Sequence, residues 1–137
     1  ETLKIDDILP DKIGVDCGLG VGGPEDPMYL QYLHKNTRIR GTQEIIPGVC
    51  VGGDFKQVKL LLNLENISPD DVRFYVGYAG WEQGRLREEL KKDSWLVTDF
   101  KWEYLENTTG DMWKLVLRGM GSSYANFVNY PVDPRLN

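Results

Sequence analysis

The stretch Val72 to Gly80, VRFYVGYAG, alternates so that Val72, Phe74, Val76 and Tyr78 fall on one face of a strand and Arg73, Tyr75, Gly77 and Ala79 on the other. The first face is apolar throughout, while the second loses bulk toward its end. Such a strand needs a core over one face, and it lets another backbone come close over Gly77 and Ala79. It leads through Gly80, Trp81 and Gly84 into a charged segment in which Leu86 and Leu90 share a face. There Arg85 with Glu89 and Glu88 with Lys92 are opposite charges four apart, which predicts an exposed helix from Gln83 onward.

Other segments sort around that corner. Leu3 to Leu9 reads as a short helix or turn stopped by Pro10, and Gly18 to Pro27, GLGVGGPEDP, as a loop with at most a short strand leading in. Met28 to His34, MYLQYLH, is apolar on both faces, which predicts a central strand covered on two sides. Pro47-Gly48 predicts a tight turn before a short strand that Gly52 and Gly53 end, after which Asp54 caps a helix. Phe55, Val58, Leu61 and Leu62 form that helix's apolar stripe, running to about Leu64. Ser68 and Pro69 open a single helical turn. Ser94 to Thr98 and Trp102 to Leu105 are strand candidates. Thr108 or Thr109 is expected to cap a last helix with Met112, Trp113, Val116, Leu117 and Met120 inside and Gly121 at its end, before an extended tail from Tyr124.

At 137 residues, residues 1–137 are read as one domain with a real core. The formal charge of −5 is the wrong sign for a sequence-independent grip on phosphate backbones, so direct nucleic-acid binding is disfavoured. Lys35, Arg38 and Arg40 are the local exception, read as a solvated loop rather than an anion contact. With neither a membrane-length apolar run nor a signal-peptide pattern, the expectation is a soluble cytoplasmic protein that does not engage membranes. Cys17 and Cys50 lie far apart without a CxxC, so free, partly buried thiols are expected and no metal or cofactor.

No specific catalytic signature emerges. Gly18-Leu-Gly-Val-Gly-Gly23 has the letters of a dinucleotide loop, but Pro24 and Pro27 forbid the helix that would meet the pyrophosphate. The sole histidine, His34, is read as a structural residue against a ligand-binding or acid-base role. Gly121 to Ala125 follows a helix and cannot be a nucleophile elbow. The doublets Asp6-Asp7, Asp70-Asp71 and Glu88-Glu89 are read as solvated charges. At the corner Ala79 to Gln83, a helix start beside an aromatic ring could hold an anion, but Glu82 already places a carboxylate there; a structural corner is the simpler reading.

Taken together, GGPEDPMYLQYLH (Gly22 to His34), IPGVCVGGDF (Ile46 to Phe55), YVGYAGWEQGRLREEL (Tyr75 to Leu90), SWLV (Ser94 to Val97) and the close YANFVNYPVDPRLN resemble the bacterial YqgE/AlgH family over nearly the whole chain. The resemblance implies an α+β fold with mixed, bifurcated β-sheets forming a partial barrel flanked by helices. It implies no established activity; the description as a transcriptional regulator attaches to the family by name, without a DNA-binding motif. Gly22, Gly23, Pro24, His34, Gly52, Gly53, Asp54, Gly77, Tyr78, Ala79, Gly80, Trp81, Gly84, Leu86 and Glu89 match its pattern. Glu82, Arg85 and Arg87 depart from it, which weighs against an anion role for the corner.

The resulting expectation is a non-catalytic regulatory or interaction module. The rival is a small-molecule or anion-binding protein or enzyme built on the glycine-rich loops around Asp54 and Trp81. Its ligand or partner residues would be Gly22, Gly23, Pro24, His34, Gly52, Gly53, Asp54, Tyr78, Ala79, Gly80, Trp81 and Gly84, and a cleft uniting His34, Asp54 and Trp81 would favour it. Relatives carry a further stretch before the point matching ETLKIDDILP, so the chain is expected to lack N-terminal strands. An open edge or apolar groove beside Met28 to Leu33, available for self-association, would follow.

Overall fold

The computed structural model describes residues 4–106 and 111–129. The chain forms two compact units, Glu1–Trp81 and Glu82–Asn137. In the first lie α1 (Ile5–Ile8), β1 (Gly18–Val21), β2 (Glu25–His34), β3 (Gln43–Ile46), β4 (Val49–Val51), α2 (Phe55–Asn63), a 3-10 turn at Pro69–Asp71 and β5 (Val72–Tyr78). Its strands make one sheet in the order β1-β5-β2-β4-β3. β1 runs parallel to β5 and the other pairs are antiparallel, so the sheet is mixed. The class is α+β, with helices packed on the sheet; the sheet is open and does not close into a barrel.

The core follows from the alternation in β5. Val72 and Phe74 are fully buried and meet Tyr32 of β2, Val58 and Leu62 of α2, and Ile5 of α1. Leu19, Leu30, Phe55 and Leu61 pack around them. Asp54 caps α2 as expected, its carboxylate accepting from the Gln57 N–H at 3.2 Å. Ser68 accepts from the Asp70 N–H at 3.2 Å, with Pro69 opening the turn. Burying side chains such as Val58 and Leu62 contributes about 1.5–3 kcal/mol each, which is what holds so short a helix in place.

Two expectations for this unit change. Gly18 to Pro27 is irregular only at Gly22 to Pro24: GLGV forms β1, the short strand leading in, and Glu25 already begins β2. Glycine suits β1 because the Arg73 and Tyr75 side chains of β5 lie across Gly18 and Gly20, where a Cβ would collide with Arg73 or stand 3.0 Å from the Tyr75 ring. β2 is central in the sheet, but two-sided cover holds only toward His34, since Met28 is 82% and Tyr29 52% exposed.

The second unit contains α3 (Arg85–Lys91), α4 (Glu103–Glu106), α5 (Met112–Gly119) and a 3-10 helix at Ser122–Asn129, with Tyr104 and Leu117 buried. Neither expected strand forms. Ser94 to Thr98 has no regular structure, because its polar groups turn back to the preceding helix. Ser94 N–H donates to the Glu89 carbonyl at 3.0 Å and Trp95 Nε1 to the Glu89 carboxylate at 2.8 Å. Trp102 to Leu105 winds through a turn into α4, closed by local bonds from Tyr104 N to Lys101 O and Leu105 N to Trp102 O. The tail expected to be extended is 3-10 helix up to Asn129, while its last residues, like Thr108 and Thr109, lie outside the described residues. Asp111 stands at the start of α5 instead, and Gly121, at φ +103°, follows its end.

Candidate functional site

The residues singled out in the sequence fall into separate places. Glu25 pairs with Tyr78 and His34 with Val72, so the two ends of the β2–β5 pair lie about 20 Å apart, six residues of strand at 3.3 Å each. Gly22, Gly23, Pro24, Tyr78, Ala79 and Gly80 gather near the Glu25 end, with Trp81 following directly in the chain. His34, Gly52, Gly53 and Asp54 gather at the other. Gly84 belongs to the second unit, at φ +85° before α3. His34 and Asp54 therefore share one end of the sheet, and the Trp81 corner departs from the other.

At the Glu25 end the glycines serve a crossing of two backbones. A Cβ on Gly23 would overlap the Tyr78 carbonyl carbon and the Ala79 nitrogen, and one on Gly22 would overlap the Gly77 carbonyl oxygen. Gln31 Nε2 donates to that same Gly77 carbonyl at 2.9 Å, and Gly22 N–H to the Val76 carbonyl at 2.9 Å. Gly77 itself has φ +72°. Between the pairs Glu25–Tyr78 and Leu30–Val76, residues 26–29 of β2 face only Gly77 of β5, so β2 bulges outward, with Asp26 at φ +40°.

Apolar side chains stand exposed around this crossing. Val21 pairs with Val76 and so continues the face of Leu19 and Phe74, yet it is 80% exposed. Met28, Tyr29 and Tyr78 are exposed as well, the two tyrosine rings meeting edge to face at 5.6 Å. Trp81 is 40% exposed. Glu82 lies before the helix rather than in its first turn, where Glu88 stands, so the carboxylate expected at the helix start is displaced by several residues.

At the opposite end His34 is fully buried. Its Nδ1 accepts from the Asn36 N–H at 3.2 Å, which leaves the proton on Nε2 to donate to the Gly52 carbonyl at 2.9 Å, with Thr42 Oγ1 beside it at 3.0 Å. Both ring nitrogens are thus occupied by structure. Tyr32 donates to the Gly53 carbonyl at 2.6 Å, and burial, with Asp54 nearby, raises its pKa. The Gln57 N–H first, and then the Arg40 guanidinium at 2.7 Å, hold the Asp54 carboxyl below its ordinary range.

The acidic doublets prove more than solvated charges. Asp6 accepts from the Ile13 and Gly14 amides at 2.7 and 3.0 Å, Asp7 from the Lys4 amide at 2.9 Å, and Asp71 pairs with Lys35 at 2.8 Å. Loop closure, which needs tertiary placement, was not legible from adjacency in sequence.

Sequence reasoning also missed a depression of about 400 Å³ beside His34, lined by Lys35 to Arg38 on one wall and Asn66 to Ser68, Asp71 and Val72 on the other. The basic cluster was its one visible signal. Among the described residues no group of His, Cys, Asp or Glu could hold a metal ion, and no helix is long and apolar enough to cross a membrane.

A family model described as AlgH-like matches residues 1–125. The chain is 34% identical over 140 residues to a UPF0301 protein of Cytophaga hutchinsonii, a match covering 99% of this chain and 76% of that protein. It is 38% identical over 117 residues to one of Bacteroides thetaiotaomicron, covering 85% of this chain and 60% of the other. The fold is similar to the solution structure of the AlgH protein from Pseudomonas aeruginosa, with a TM-score of 0.66 at 19% identity over 97% of this chain and 74% of that one. A crystal structure of a Corynebacterium diphtheriae protein gives a TM-score of 0.63 at 18% identity, covering 80% of this chain and 59% of the other.

Proposed function

The chain belongs to the AlgH-like family, and from that premise we propose that it is a non-catalytic interaction module whose contact surface is the Glu25 end of the sheet. The observation that carries this reading is the exposure of Val21, Met28, Tyr29 and Tyr78 near the glycine crossing, where the Tyr29 and Tyr78 rings meet. Exposed apolar side chains near one end of a sheet are ordinary makings of a protein contact. Weighing against a site that unites His34, Asp54 and Trp81, the end carrying His34 with Asp54 and the Trp81 corner are separated by the length of β5. His34 has no ring nitrogen left to serve as a base. A regulatory role fits this reading when it is exerted through a protein partner, since the chain's charge of −5 opposes direct contact with duplex DNA.

The test is photo-crosslinking from Met28 and from Val21 in bacterial cytoplasm, with exposed Leu60 on α2 as the control position. One protein captured reproducibly at the first two positions, absent at Leu60 and lost in Met28→Glu, is the expected result. Equal labelling at all three positions, together with a metabolite that raises the melting temperature, would replace this reading by the ligand-binding one.

A further inference from the structure

At the His34 end of the first unit, we propose that the depression between Lys35–Arg38 and Asn66–Asp71 is a binding site for a small phosphorylated, hydroxyl-bearing metabolite. Its lining is more polar than apolar: His34, Lys35, Asn36, Thr37, Arg38, Asn66, Ser68 and Asp71 line it together with Ile67 and Val72. That composition suits a hydrated, hydrogen-bonding ligand and not a flat apolar one. A volume of about 400 Å³ is within the range of small-molecule sites.

The charge distribution selects the ligand's sign. Asp71 is the one carboxylate in the lining, and Lys35 neutralises it at 2.8 Å. Arg40, the third cation of the loop, is turned away to Asp54 at 2.7 Å. Arg38 is left with its guanidinium outside any ion pair among the described residues, a planar fork suited to two oxygens of a phosphate. The loop that presents it is held from below. Buried His34 accepts from the Asn36 N–H, and Asn36 Oδ1 accepts from the Arg38 N–H at 2.9 Å. The opposite wall is tied across by Lys35 N–H to the Asp71 carbonyl at 3.3 Å as well as by the ion pair. Such bracing fixes the loop backbone before a ligand arrives and reduces part of the ordering that binding would require, leaving the Arg38 side chain to settle on the ligand. Asn66, Asn36 and the Asp71 carboxylate supply acceptors for hydroxyl groups beyond the phosphate.

Amide NMR of the whole chain, titrated with inorganic phosphate, ribose 5-phosphate and ribose at matched ionic strength, tests the site. Saturable shifts confined to Asn36, Thr37, Arg38, Asn66 and Ser68 are expected for both phosphates, with ribose 5-phosphate the tighter and ribose alone without effect. In Arg38→Gln the affinity should fall at least about tenfold, the loss of one charge-assisted contact, while the remaining amide spectrum is unchanged because that guanidinium supports no other residue. Binding of ribose 5-phosphate that is unaltered in Arg38→Gln would overturn the proposal, as would the absence of saturable shifts up to about 10 mM, the limit of weak specific binding. Neither result bears on the apolar surface at the opposite end, so this site and the interaction reading fail separately.

Discussion

Gly77 and Gly23 lie back to back: a Cβ on Gly77 would stand 2.6 Å from the Gly23 carbonyl oxygen, at a residue whose φ is already +72°. Backbone touches backbone there, and no side-chain rotation can relieve an added methyl group. Gly77→Ala is therefore expected to destabilise by about 3 kcal/mol or more, combining left-handed strain with overpacking. Gly48→Ala separates the two contributions, since Gly48 has φ +79° and open space around it. It should cost only about 1–2 kcal/mol. Urea unfolding of both variants checks the difference, and equal losses would contradict the crossing.

His34 gives a second expectation. His34→Leu fills the same buried space but leaves the Gly52 carbonyl and the Asn36 N–H without their partner. Each orphaned group, being partly buried, costs up to about 1–3 kcal/mol, so a total loss of about 1–4 kcal/mol is expected in denaturant unfolding. His34→Gln, able to serve one of the two, should recover part of it. A fully stable Leu variant would mean that the histidine is kept for chemistry rather than for structure.

How much of this was legible in the sequence can be judged residue by residue. The Phe55, Val58, Leu61 and Leu62 stripe, the Asp54 and Ser68 caps and the alternation of β5 were readable because each is local, set by spacing and a neighbouring cap. GLGV was readable only as far as a short strand leading in, since glycine looks like a loop until Arg73 and Tyr75 are seen lying across it. SWLV looked like a strand because β-propensity describes fit to a neighbour that this segment does not have. Its tryptophan turns instead to Glu89. The candidate site fared similarly: the glycine segments were found, but only the register shows that they divide between two ends of a sheet.

Cys17 offers a prediction in alkali. Burial first, and then the carboxylates of Asp16 and Asp6, push its thiol up to about 11 from 9.0. The folded state therefore favours the protonated thiol, a contribution fully present below pH 9 that is lost as the pH rises toward 11. Native protein should accordingly react slowly with a thiol-specific disulfide reagent near pH 8, and at a rate limited by opening. Stability should decline between pH 9 and 11 in the wild type and decline less in Cys17→Ala. Immediate labelling of Cys17 in the folded protein at pH 8 would refute this.

Asp54 joins a helix cap to an ion pair, and the two can be separated. The Gln57 N–H and the Arg40 guanidinium both favour the carboxylate, so its folded pKa lies below the ordinary value of 3.8. A depressed carboxyl stabilises the fold above its unfolded pKa, and that contribution disappears as the pH falls through the folded one. Asn caps helices about as well as Asp, and Arg40 is largely exposed, so Asp54→Asn should be close to wild type at neutral pH while Asp54→Ala is clearly less stable. Below about pH 4 the wild type should lose its small advantage over Asn, because protonation removes the charge that distinguishes them. Thermal melts of the three proteins between pH 3 and 7 measure this. If Asn proved as harmful as Ala at neutral pH, the charge of Asp54 would matter beyond the cap, and a ligand at the Gly52–Asp54 loop would become the better account of why a carboxylate is placed there.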